Sequence, residues 1–142
     1  MAKSKKINAS KAPKAVGSYP HARKVGNLLF LSGIGPREPK TNGVPGLKLT
    51  KRGNYAKFDF EAQCHSVFKN VQTVLEASGA EWEDLVDVTV FLTDMKRDFD
   101  TYNRIYAKYF KKAQPCRTTV GIDSLPTPIA IELKCIAVIS ED

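Results

Sequence analysis

The chain has 142 residues, enough for one compact domain with its own core and too few for two. Hydrophobic residues make up 42% and charged residues 26%, ordinary globular usage that excludes an intrinsically disordered chain. The formal net charge of +7 admits anionic partners and by itself selects none.

The first fourteen residues, MAKSKKINASKAPK, hold Lys3, Lys5, Lys6, Lys11 and Lys14. No apolar stretch follows these charges, so the segment lacks the pattern of a secretory signal. It is expected to be a flexible basic arm, with a single domain over residues 15–142. No apolar run reaches the roughly 20 residues of a membrane span, and a cytoplasmic location is expected. The cysteines (Cys64, Cys116, Cys135) are odd in number, widely spaced and free of any CxxC pair. With His21 and His65 they make no metal-ligand pattern, so neither a disulfide framework nor a metal site is indicated. The remaining basic residues are scattered without interleaved aromatics, so nucleic acid is not the expected partner.

Residues 23–25 and 28–32 read as two short strands around a Gly26-Asn27 turn. Residues 33–53, rich in Gly, Pro and Lys, read as a long excursion, and such loops inside compact domains are often functional. Phe60, Cys64, Val67, Phe68, Val71, Val74 and Leu75 then form a helical stripe, with Asp59 suited to cap its start and Gly79 its end. Residues 85–92 are a strand by β-branched content. A second helix is expected over about 98–110, with Phe99, Tyr102, Ile105, Tyr106 and Tyr109 inward. Residues 116–120 and 130–139 are closing strands across a Leu125-Pro126-Thr127-Pro128 corner. This order, β-β-α-β-α-β-β, predicts an α+β sandwich of one sheet covered by two helices.

The strands alternate informatively. Val86, Val88, Val90 and Leu92 share one face, opposite Leu85, Asp87, Thr89 and Phe91. Ile131, Leu133, Cys135, Ala137 and Ile139 share a face, opposite Ala130, Glu132, Lys134, Ile136 and Val138. The purely apolar face belongs under the helices. The mixed face, to which Arg117 and Thr119 are assigned, carries too much apolar surface for solvent and too much charge for a monomer's core. Burial between subunits around a polar site accounts for both. The residues alone also allow a structural Arg117–Glu132 ion pair and a merely solvated face.

Several stretches together resemble the RidA (reactive-intermediate deaminase) family. They are Gly17-Ser18-Tyr19, Val25-Gly26-Asn27 leading to Leu31-Ser32-Gly33, the 85–92 strand, Asp98-Phe99, Tyr102-Asn103, Pro115-Cys116-Arg117-Thr118-Thr119, and Ile131-Glu132 with Ile136-Ala137. The resemblance implies a chorismate-mutase-like α+β fold, a homotrimer with sites between subunits, and hydrolysis of reactive enamines or imines to oxo acids and ammonia without a cofactor. Carried over by position, Arg117 matches the arginine that grips the substrate carboxylate, and Glu132 the acid that positions or activates water. Tyr19 and Ser32 match pocket-lining residues, and Asn103 an asparagine near the cleft. Thr119 stands where many members have cysteine, so any thiol-dependent behaviour there is lost. Cys116 is displaced from that place and is not a nucleophile candidate.

A narrower resemblance is to the 2-aminomuconate deaminases. Its signs are Tyr19-Pro20-His21, Ser32-Gly33-Ile34-Gly35-Pro36-Arg37, Arg117-Thr118-Thr119 and the long 37–57 excursion. A dicarboxylate needs a second cationic contact, for which Arg37 is the candidate, and His21 could help bind it or relay a proton. The small anionic substrate is then 2-aminomuconate from aromatic or tryptophan breakdown. General deamination of 2-aminoacrylate, an RNA-directed role and a non-catalytic ligand-binding role stay open.

The chemistry is consistent with these residue types. Hydrolysing an imine requires a protonated C=N, a water aimed at its carbon and a substrate fixed in one orientation. A planar guanidinium pairs bidentately with a carboxylate, and a carboxyl group whose pKa is raised by burial can shuttle the protons.

Overall fold

The computed structural model describes residues 3–140. Its strands are β1 (Ser4–Ile7), β2 (Ala22–Val25), β3 (Leu28–Leu31), β4 (Lys48–Leu49), β5 (Tyr55–Lys57), β6 (Leu85–Leu92), β7 (Cys116–Gly121) and β8 (Ile131–Val138). Two helices, α1 (Phe60–Ala77) and α2 (Met95–Phe110), complete it. Six strands form one sheet in the order β1-β2-β3-β8-β6-β7, antiparallel throughout except for the parallel β6–β7 pair. Packing α1 on β8 and α2 on β6 covers one face, giving the expected α+β architecture. Among the described residues no helix is long and apolar enough to cross a membrane.

Local signals explain most boundaries. Gly26 takes φ +60° in the β2–β3 turn, a conformation that favours glycine. The Asp59 side chain accepts the Ala62 N–H at 3.0 Å and starts α1, and Gly79, at φ +75°, follows its end. Helix α2 begins three residues before the expected Asp98, because Asp94 caps it by accepting the Arg97 N–H at 3.1 Å. Asp98 is instead buried inside the first turn, held by Arg97 through two 2.8 Å hydrogen bonds.

The inner face of β8 is as its alternation predicts: Ile131, Leu133, Cys135 and Ala137 are fully buried against α1 and α2, with Leu29, Leu31, Val88 and Val90 beside them. At the start of β6 the expectation fails. A bulge between Leu85 and Asp87 swaps the two faces, so Leu85 is buried and Val86 is 41% exposed. The 33–53 excursion is also more ordered than expected. Ile34 bridges to Leu133, and β4 and β5 form a small hairpin. Tyr55 at its base stacks on Phe58, whose ring lies 4.1 Å from the Arg97 guanidinium carbon.

The expected flexible arm is a strand and a strap. β1 pairs with β2 from Ser4–Val25 to Ile7–Ala22, and Ala9 and Ala12 are buried. The lysines mark the solvent side of β1, while the small apolar residues after it supply the burial that a reading of charge alone overlooks. The fold therefore takes in residues 4–14.

His21 fastens this strap. Its Nδ1 accepts the Ala9 N–H at 2.9 Å, so the hydrogen is on Nε2, which donates to the Pro13 carbonyl at 2.7 Å. Removing both contacts in His21→Ala is expected to cost about 1–3 kcal/mol. It should speed amide hydrogen exchange in residues 4–13 far more than in β8; an unaltered exchange pattern would show that the strap is held by other contacts.

Candidate functional site

Glu132 lies on the open face of β8, paired with Phe91 of β6, while its neighbours Ile131 and Leu133 enter the core. Its carboxylate rests against Gly33, just beyond β3. A Cβ at that glycine would sit 2.8 Å from Oε2 and 3.0 Å from Cδ. The half-buried carboxylate has no hydrogen bond or ion pair among the described residues. Burial alone therefore acts on it and raises its pKa above the ordinary 4.5. An unpaired, desolvated acid in this setting is a functional candidate. Gly33→Ala would push the carboxylate aside, and since misplacement by about 1 Å can cost 10²-fold in rate, kcat of any reaction that uses this acid should fall about 10- to 100-fold with KM little changed. Wild-type kcat in that variant would show that the Gly33 contact has no part in placing the acid.

Tyr19, His21, Ser32, Gly33 and Arg37 line one small cleft, and of these Gly33 is the residue against which the acid rests. Ser32 Oγ–H donates to the Pro20 carbonyl at 2.7 Å, leaving the oxygen's lone pairs to accept. Tyr19 is 41% exposed, with its OH accepting the Val16 N–H at 3.2 Å. Arg37 donates from Nη1 to Asn42 Oδ1 at 3.1 Å and from Nη2 to the Lys14 carbonyl at 2.7 Å. His21 lines the cleft while both its ring nitrogens are hydrogen-bonded to the strap.

Arg117 and Thr119 belong to a second wall. In the parallel pairing Arg117 is opposite Val88 and Thr119 opposite Val90, both buried under the helices. The two residues thus lie on the helix-covered face and not, as expected, on the mixed one. β7 is the edge strand, so its covered side projects partly beyond α2 and carries no apolar pattern for sequence reading to follow. The Arg117 guanidinium carbon lies 4.7 Å from the Tyr106 ring centroid and 5.2 Å from that of Tyr102. Its Nη1 donates to Asn103 Oδ1 at 2.8 Å. The Tyr102 hydroxyl meets Thr119 Oγ1 at 2.8 Å, and burial raises the pKa of both tyrosines, keeping the platform neutral. Arg117 is exposed and has no carboxylate partner among the described residues. A guanidinium stacked on aromatics and steered by one amide, with the rest of its fork open, is suited to receive an anion. Tyr102 and Tyr106 were legible only as core residues of α2; their i, i+4 spacing around Asn103 is the signal that they also form a platform.

These walls do not meet within one chain. Glu132 on β8 and Arg117 on β7 are separated by β6, two strand spacings or about 10 Å, and the end of β3 lies one spacing further off. Glu132 faces away from the helices and Arg117 faces toward them, which rules out a structural ion pair between the two. The open face also carries exposed Leu28 and Val138 with half-buried Phe30, Phe91 and Ile136, an uncovered apolar surface around Glu132.

Among the described residues no group of three or more His, Cys, Asp or Glu side chains could hold a metal ion. All three cysteines are free. Burial pushes the Cys64 and Cys135 thiols up to about 12, so neither is a ready nucleophile.

Known proteins place the chain in a family. The family model described as endoribonuclease L-PSP matches residues 9–139. Reactive Intermediate Deaminase A of Arabidopsis thaliana, the chloroplast protein, is 39% identical over 131 residues, covering 92% of this chain and 64% of the relative. The chain belongs to the RidA family. A RutC family protein of Pyrococcus horikoshii is 38% identical over 131 residues, covering 92% of this chain and 94% of its own length. The solved structure of Escherichia coli TdcF with bound serine superposes with a TM-score of 0.81 at 32% identity, covering 96% of this chain and 99% of that one. The RidA-family chain thus has relatives that cover nearly its whole length.

Proposed function

We propose that the protein hydrolyses a carboxylate-bearing enamine or imine to an oxo acid and ammonia, at a site assembled from two copies of the chain. The observation that carries this reading is the pair of unsatisfied, opposite charges: an open arginine fork on one face and an unpaired acid on the other. Each lacks the partner that the other would supply through a substrate. A neighbouring copy seated on the apolar face around Glu132 would bring its Arg117 to this carboxylate, and a closed ring of three copies satisfies every such face. The serine bound to TdcF is a carboxylate-bearing ligand, which suits the role given to Arg117.

In this site Arg117 holds the substrate carboxylate, with Asn103 and the two tyrosines fixing its direction. Thr119 and Ser32 border the ligand, and Tyr19 closes it from solvent. Glu132 takes a proton from water as the oxygen attacks the iminium carbon, forming the C–O bond while the C=N π electrons go to nitrogen. It then returns that proton to the amine; the C–N bond breaks as the hydroxyl gives its own proton to Glu132, so that the carbonyl forms, ammonia leaves, and the acid is reset by losing the proton to ammonia. Proton transfer of this kind supplies about 10²- to 10⁴-fold.

Within this class 2-aminomuconate is the proposed substrate, because Arg37 lines the same cleft as Gly33, on which the Glu132 carboxylate rests, and offers a second cation for a second carboxylate. The test is ammonia release from enzymatically generated 2-aminomuconate and, separately, 2-aminoacrylate, with wild type and Arg37→Ala. Loss confined to 2-aminomuconate supports the dicarboxylate reading. Equal activity of both proteins on both substrates makes the enzyme a general deaminase, and no acceleration of either sinks the deaminase reading for them.

A further inference from the structure

Helix α1 turns three polar side chains inward at positions 63, 66 and 70, a spacing that stacks them on one side. Gln63 and Asn70 are 0% and 2% exposed, among apolar neighbours where an amide without partners costs about 1–3 kcal/mol. Asn70 uses its single NH₂ group twice, donating to the Gly35 carbonyl at 2.9 Å and to the Arg37 carbonyl at 2.8 Å. Between them, Ser66 Oγ–H donates to the Pro36 carbonyl at 2.7 Å. Three successive carbonyls are therefore captured by one helix face. One turn earlier, Gln63 Oε1 accepts the Ala130 N–H at 2.8 Å, at the entry to the strand that carries Glu132.

We propose that Asn70, with Ser66 beside it, is a positioning residue that sets where Arg37 stands and so makes the site selective for substrates with a second anionic group. The inference rests on the dicarboxylate reading above. Asn70 lies inside α1 and touches no ligand; it acts through the backbone of residues 35–37. With its carbonyl captured, Arg37 cannot swing about its own peptide, and the Lys14 and Asn42 contacts then fix the guanidinium. Only a group with two hydrogens on one nitrogen reaches two carbonyls two residues apart in this way. Aspartate would present lone pairs to both carbonyls, and serine has a single hydrogen to give. A long loop that leaves the sheet beyond Gly33 needs such an anchor, since Ile34 makes its last ladder pairing.

The test compares Asn70→Ala and Ser66→Ala with wild type on both substrates, with thermal stability and amide hydrogen exchange measured alongside. Ser66→Ala removes one contact from a half-buried position and keeps the test open if Asn70→Ala folds poorly. The expected result is a rise of about tenfold in KM for 2-aminomuconate in Asn70→Ala, smaller in Ser66→Ala. In both variants kcat and the KM for 2-aminoacrylate should stay within about twofold of wild type. Exchange should quicken in residues 33–43 and not in β6 or β8. Equal losses on both substrates, or losses that follow only the drop in stability, would overturn the inference. If wild type shows no preference for 2-aminomuconate, the dicarboxylate reading fails. Hydrogen exchange then decides the positioning role by itself: quickening confined to residues 33–43 upholds it and an unchanged segment overturns it.

Discussion

Arg117→Ala should lower kcat/KM for every carboxylate-bearing imine by about 10²- to 10³-fold, the effect of removing one member of a hydrogen-bonded charge pair. The chain should still fold, because Arg117 is exposed and, among the described residues, its side chain's only hydrogen bond is to Asn103. Arg117→Lys should recover little. An ammonium is a point charge without the fork, and it would give up both the planar stacking on Tyr102 and Tyr106 and the geometry steered by Asn103. Steady-state rates on substrates with and without the carboxylate separate this from a general defect. The ester or amide of the same imine should be turned over equally slowly by wild type and variant. A variant that retained wild-type kcat/KM on the free acid would remove Arg117 from the site.

Glu132→Gln should carry the second large effect, a fall of about 10²- to 10⁴-fold in kcat with the substrate still bound. Burial raises the Glu132 pKa above 4.5, so the acidic limb of the wild-type rate profile should lie above that pH, activity rising as the carboxylate ionises. That limb should be absent from the residual activity of the variant. Stability should move the opposite way. A carboxyl whose folded pKa is raised binds its proton more tightly in the native state, so its ionisation destabilises the fold as pH climbs from the unfolded value through the folded one. Glutamine is free of this penalty. Glu132→Gln should therefore melt higher than wild type at neutral pH, and the difference should vanish below about pH 4. A variant less stable than wild type at pH 7 would mean that the carboxylate has a stabilising partner.

Much of the scaffold was legible because it is written in burial. The alternation in 131–138 placed Glu132 on the open face, and the Asp59 and Gly79 signals bounded α1. What escaped is chemistry that does not follow a period. Val86 reads as a core residue until a bulge turns it outward. Arg117 and Thr119 sit on an edge strand whose two sides look alike in sequence, so their face is set by register with Val88 and Val90. The strap at residues 9–13 is held by a histidine eight to twelve positions away, a contact that charge counting cannot reveal. The excursion read as a loop because β4 and β5 are only two and three residues long. The separation of Arg117 from Glu132 was also invisible: the two are fifteen positions apart along the chain, and only the pairing register of β7 and β8 with β6 puts them on opposite sides of the sheet.

The central claim is that one working site takes Arg117 from one copy and Glu132 from another, and complementation tests it most directly. Arg117→Ala and Glu132→Gln chains, each nearly inactive alone, are unfolded together in equal amounts, refolded and assayed for ammonia release. If the site is shared between subunits, random mixing leaves about one interface in four with both residues intact, so activity should return to about a quarter of the wild-type value. Activity no higher than the sum of the two inactive proteins, in oligomers shown to contain both chains, would contradict the shared site and place the chemistry within a single copy.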